Sequence, residues 1–82
     1  DVATARFAVS QALRALPANE PLYRCRMQIE AAANNLQGVR SAYNELLTTL
    51  DDWGDGLDAE PSPTTADLFV ELTRRTDERS AS

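Results

Sequence analysis

The sequence predicts an all-α fold with bundle or coiled-coil-like packing. It reads as an antiparallel helical hairpin, with a short helix 1 and a long helix 2, followed by a short third helix. Three observations carry this. Ten apolar or small residues recur at alternating intervals of three and four: Leu22, Cys25, Ile29, Ala32, Leu36, Val39, Tyr43, Leu46, Leu50 and Trp53. Such spacing puts all of them on one face of a helix. A second run, Val2, Ala5, Val9, Ala12 and Leu16, keeps the same rhythm. Proline and glycine interrupt the pattern at Pro17–Pro21 and again between Gly54 and Pro63, so helices alternate with breaks.

Helix 1 is expected from about Val2 to Leu16. Pro17 disfavours helix in the residue before it, Asn19 is an N-cap residue, and Pro21 falls in a first helical turn where its missing N–H is harmless. Helix 2 is expected from about Glu20 to Asp52, roughly 45–50 Å of continuous helix, against roughly 22 Å for helix 1. Folded back, helix 1 covers the seam from Leu22 to about Leu36 and leaves the stretch from Val39 to Trp53 open. Gly54 suits the left-handed position that ends a helix. Ser62 or Thr65 caps the third helix, whose apolar residues are Leu68, Phe69 and Leu72. The expected organisation is a hairpin over 1–53, an acidic Gly/Pro linker over 54–64, a short helix over 65–79 and a frayed tail over 80–82.

Composition narrows the function classes. Eighty-two residues make one small domain with a thin core, which favours help from a partner. The net charge is −5, all eight basic residues are Arg, and there is no Lys or His. A negative balance argues against direct nucleic-acid or anionic-membrane binding. No apolar run approaches the length of a membrane span. Cys25 is the only cysteine, so there is no internal disulfide and no structural zinc set; on the seam it is expected to be buried as a small apolar residue. With no signal peptide and no disulfide pair, the expected location is cytoplasmic. The start at Asp1 rather than Met is read as a boundary of the piece in hand.

Catalysis has little support. The usual general bases and Schiff-base amines are missing, and no glycine-rich phosphate loop occurs. Paired carboxylates occur only in the turn after the long helix, a poor platform for acid–base chemistry. Asp51, Asp55 and Gly56 match the first, fifth and sixth places of an EF-hand loop, but Trp53 and Ser62 stand where oxygen ligands are required. No metal and no cofactor is expected. Asp51 and Asp52 oppose the helix dipole at a C-terminus, and Arg74, Arg75 and Arg79 are candidates to compensate by folding back. In outline, a helical hairpin with Trp and Gly at a helix end resembles the WXG100 secreted proteins. Their Trp-x-Gly signature is not met by Trp53-Gly54-Asp55, and neither Tyr23 nor Tyr43 opens a Tyr-x-x-x-acidic motif, so no membership is assigned.

The expected function is therefore a non-catalytic helical protein–protein interaction module, a small subunit or adaptor within a larger assembly. Its partner would be a helical protein or a second copy of the chain. Tyr43, Leu46, Leu50 and Trp53, on the open half of the seam, are the expected partner-binding residues, because aromatic and large apolar side chains dominate interface energetics. Phe7, Tyr23 and Met27 lie off the seam and form a candidate secondary patch. Asp51, Asp52, Asp55 and Asp58 form a candidate acidic contact. The alternative is an acidic inhibitor that mimics nucleic acid and occupies a basic groove on another protein. The uncharged back of the long helix, with Gly38 among Ala31, Asn34, Gln37, Ser41 and Asn44, reads as a weakly optimised solvated face, with a second surface lying close against it in an oligomer or larger assembly as the alternative.

Overall fold

In the computed structural model, which describes residues 1–53 and 60–81 apart from the side chains at 53, 80 and 81, the chain is all-helical. Its helices are α1 (Val2–Ala15), α2 (Glu20–Ala32), α3 (Leu36–Trp53) and α4 (Pro63–Ala81). The residues expected to form one long helix thus form two, and the third expected helix is α4, a residue longer than α3 rather than short.

The break between α2 and α3 is built by two asparagines. The Asn35 N–H donates to the Glu30 carbonyl at 2.9 Å and the Asn34 N–H to the Ala31 carbonyl at 2.9 Å. This is the paired closure of a Schellman motif, and Asn34 supplies its left-handed residue with φ 57°. Asn is the residue after Gly that best tolerates that region. Asn35 then starts the next helix at once: its Oδ1 accepts from the Gly38 N–H at 3.1 Å, the N-cap bond. The heptad rhythm runs unbroken across this point because Ala32 and Leu36 are still four residues apart. Periodicity alone therefore hid the break.

The other helix starts follow the expected chemistry. Asp1 caps α1, with Oδ1 accepting from the Ala3 N–H and Oδ2 from the Thr4 hydroxyl. Asn19 caps α2 through the Leu22 N–H at 3.1 Å, with Pro21 in the first turn. The Ser62 carbonyl accepts from the Ala66 N–H at the start of α4.

α2 is the hub. α1 packs on α2 alone, whereas α2, α3 and α4 pack against one another. α1 and α3 run antiparallel to α2: Arg6 meets Glu30 from α1, while Thr49 meets Tyr23 and Glu45 meets Arg26 from α3. α4 runs parallel to α2, from Glu20 against Ser62 to Ala31 against Arg79. The apolar core is Met27, Ala31, Val39, Ala42 and Leu72, closed by Tyr43, Leu68 and Phe69. Tyr43 and Phe69 stack with ring centroids 4.0 Å apart and planes 10° from parallel.

The seam holds in α3 and fails in α2. Val39, Ala42 and Leu46 are buried, with Tyr43 and Leu50 half-buried, as helical spacing requires. In α2 the buried residues are instead Tyr23, Met27, Glu30 and Ala31, while Cys25 and Ala32 are exposed. Once Asn34 breaks the helix, α2 is free to rotate about its own axis, and the face it buries is the one between its neighbours. Cys25 is therefore a surface thiol, not a core residue.

Candidate functional site

The most constrained point in the molecule is the Glu30 carboxylate, where three helices meet. Its Oε2 accepts from Arg6 Nε at 2.8 Å and its Oε1 from Arg6 Nη2 at 2.6 Å, a bidentate bridge from α1. Asn35 Nδ2 adds a third bond to Oε1 at 3.0 Å, while the same Asn35 side chain caps α3. Glu30 is only 6% exposed. The Arg6 hydrogen bonds outweigh burial and, with Asn35 and the charges of Arg6 and Arg26, hold its carboxyl below the usual glutamate range. Gly38 makes this arrangement fit. A Cβ there would stand 2.6 Å from Asn35 Nδ2 and 2.8 Å from both Cγ and Oε1 of Glu30. The glycine that costs α3 about 1 kcal/mol in helix propensity is what admits the carboxylate.

A second carboxylate ties α4 to the start of α2. Glu20 Oε1 accepts from the Ser62 N–H at 2.9 Å, the Ser62 hydroxyl at 3.0 Å and the Thr65 hydroxyl at 2.8 Å. Arg24 Nη1 donates to Thr65 Oγ1 at 2.8 Å, so the buried Thr65 hydroxyl both donates and accepts. Burial pushes the Glu20 pKa up, but these hydrogen bonds and the nearby Arg24 charge bring it below the usual value. Near the other end of α4, Thr76 is 1% exposed and its hydroxyl has no hydrogen-bond partner among the described residues.

On the surface, α2 and α4 enclose a groove. One cleft of about 250 Å³ has Ala31, Ala32, Leu68 and Leu72 in its walls. A second of about 510 Å³ is lined by Pro21, Cys25 and Leu68, and Gln28 borders both. The charged residues along the two clefts are Arg24, Arg75 and Arg79 against Asp67. Arg75 also bonds Glu71 at 2.8 Å, and Arg79 Nη1 donates to the Ala31 carbonyl at 3.4 Å.

The sequence-predicted residues fall in different places. Leu46 has no exposed surface and Tyr43 lies flat on Phe69, so this part of the seam is covered by the chain's own helices. Leu50 is half-buried, and the Trp53 side chain lies outside the described residues. The expected patch of Phe7, Tyr23 and Met27 is not assembled. Met27 and Tyr23 are core residues at 0% and 5% exposure, with the Tyr23 hydroxyl on Thr49, while Phe7 stands alone at 66% exposed. Of the acidic contact, Asp51 and Asp52 are exposed at the end of α3, and Asp55 and Asp58 lie outside the described residues, as do the Gly54 cap and most of the linker. Arg74 and Arg75 pair with Glu71 and Glu78 on their own helix.

The groove was missed because its α2 wall sits on the face the heptad assigned to the interior. The exposed spacing of Pro21, Cys25, Gln28 and Ala32 was a usable signal once the helix was known to end at Ala32. Among the described residues, no three Cys, Asp or Glu side chains converge to hold a metal ion, and no helix is long and apolar enough to cross a membrane. No known protein family, curated protein or solved structure matches the chain.

Proposed function

We propose that the chain is a non-catalytic helical protein–protein interaction module whose docking surface is the α2–α4 groove. Its partner is an amphipathic helix with acidic residues along one flank. The observation that carries this reading is the adjacency of two clefts between α2 and α4, which share Gln28 and Leu68 and present Ala31, Ala32, Leu68 and Leu72 as apolar wall. Helix-in-groove recognition needs such a wall to receive apolar anchors spaced by three and four residues. Charge selects the partner: in a chain of net charge −5, the groove carries three arginines and one aspartate. An acidic flank on the incoming helix complements Arg24, Arg75 and Arg79, and a basic flank is repelled by these same arginines.

The test is selection from a random library of amphipathic helical peptides against the intact chain, with binding mapped by amide chemical shifts. Binders enriched in Asp and Glu that shift Cys25, Gln28, Ala32 and Leu68 support the reading. Arg75→Glu should weaken them and steepen their loss with salt less than the native chain shows. Binders that map to another face, or that show no preference for acidic flanks, overturn it.

A further inference from the structure

The attachment of α1 differs in kind from that of the other helices. Among the described residues α1 packs on α2 alone; Val9 is its one buried residue, Ala5, Ala12 and Leu13 are half-buried, and Val2 and Phe7 remain exposed on it. Its register on α2 is set by Arg6, which grips Glu30 through two nitrogens. The connection to α2 is Leu16 to Asn19, with Pro17 stiffening it and Leu16 already outside the helical region at φ −131° and ψ 72°. Short, stiff hinges joining an otherwise separable helix are the setting in which copies exchange that helix.

The seat that α1 occupies is formed without it. Glu30 lies in the last turn of α2, Asn35 holds its Oε1, and Gly38 leaves the space the carboxylate fills. If α1 leaves, this carboxylate loses both guanidinium bonds and keeps the one from Asn35, a loss that another suitably placed arginine makes good. The α1 of another copy carries that arginine three residues before the same valine, in the same register.

From this we infer that α1 is an exchangeable arm: the α1 of a second copy of this chain takes the seat on α2, and two molecules join as a swapped dimer in which each Glu30 binds its partner's Arg6. The surface involved is separate from the proposed groove. Glu30 and Gln28 are two residues apart on α2, about 200° around the helix, so dimerisation leaves the groove open.

Charge reversal tests it. Arg6→Glu and Glu30→Arg each place like charges in the latch of a closed monomer. Mixed and refolded together, the two variants restore opposite charges in both seats only by exchanging arms. Sedimentation should then show a heterodimer roughly tenfold or more abundant than either homodimer, with α1 amides protected from exchange. One chain carrying both changes should close on itself and protect α1 as a monomer. A mixture that stays monomeric while the doubly changed chain closes overturns the proposal. A charge-independent variant removes the risk that reversal is not tolerated: deleting Pro17 and Ala18 makes the hinge too short to fold back. The expected result is a dimer with α1 protected; a monomer with α1 unprotected overturns the proposal.

Discussion

Gly38 and Glu30 lie so close that a β-carbon on the glycine would stand 2.8 Å from the Cγ of the glutamate. On propensity alone, Gly38→Ala should stabilise α3 by about 1 kcal/mol. The structure reverses the sign. The Glu30 side chain is fixed from two sides by Arg6 and Asn35, and Asn35 is fixed in turn by capping Gly38. Neither can retreat without losing its bonds, so overpacking outweighs propensity and a net loss of roughly 1–3 kcal/mol is expected. Urea unfolding measures it; a more stable alanine variant would show that the carboxylate moves freely.

Stability should depend on pH through Glu30 and Glu20, both with folded pKa values below the ordinary one. A carboxyl depressed on folding stabilises fully above its unfolded pKa, roughly 4.3 for Glu. That stabilisation is lost as pH falls through the folded value. Unfolding free energy measured from pH 7 downward should therefore hold until about pH 5 and then decline. Glu30→Gln should be less stable at neutral pH and should lose less on acidification. Equal pH slopes for the two proteins would remove Glu30 from this account.

Thr65 and Thr76 are both buried on α4 but should respond in opposite directions to Val. The Thr65 hydroxyl donates to Glu20 and accepts from Arg24, so Thr65→Val strips two charged groups of a partner and should cost about 1–3 kcal/mol. The Thr76 hydroxyl is buried without a partner among the described residues, so Thr76→Val removes an unmet polar group and should be neutral or stabilising by up to about 1 kcal/mol. Thermal denaturation of the pair decides the matter; a destabilised Thr76→Val would mean that the hydroxyl has a partner in solution.

Asn34 holds φ 57°, which separates its substitutions cleanly. Asn34→Gly should be tolerated or mildly stabilising. Asn34→Ala should lose about 1 kcal/mol, and Asn34→Val more, because β-branching is poorly accommodated at positive φ. If Asn34→Ala instead raised helicity and stability, the two helices would be joining into the continuous one that the seam suggests.

The difference between one long helix and two shows where sequence reading stopped. Asn19 was legible as a cap because Pro17 and Pro21 flank it, and the inner face of α3 was legible because Val39, Tyr43 and Leu46 keep their spacing along it. Asn34 and Asn35 carry the same kind of signal, but with no proline or glycine beside them they read as a mild polar face. The roles of Tyr23 and Met27 were misread for the same reason: their burial depends on how α2 turns once it is separate. Glu30 gave no sign of importance, since its partners Arg6 and Asn35 come from different helices.

By itself the sequence determined that this chain is helical, roughly where α1, α2 and α4 start, and which face α3 buries. Those properties follow from periodicity and capping, which act within a few residues. Only the tertiary structure decided that the chain turns at Asn34, that α2 serves as the hub, and that the Arg6–Glu30 pair sets the register of α1. A helix of the expected length would leave half its seam against water. Breaking it lets α3 and α4 close over Met27, and that gain in burial depends on contacts between residues far apart in the chain.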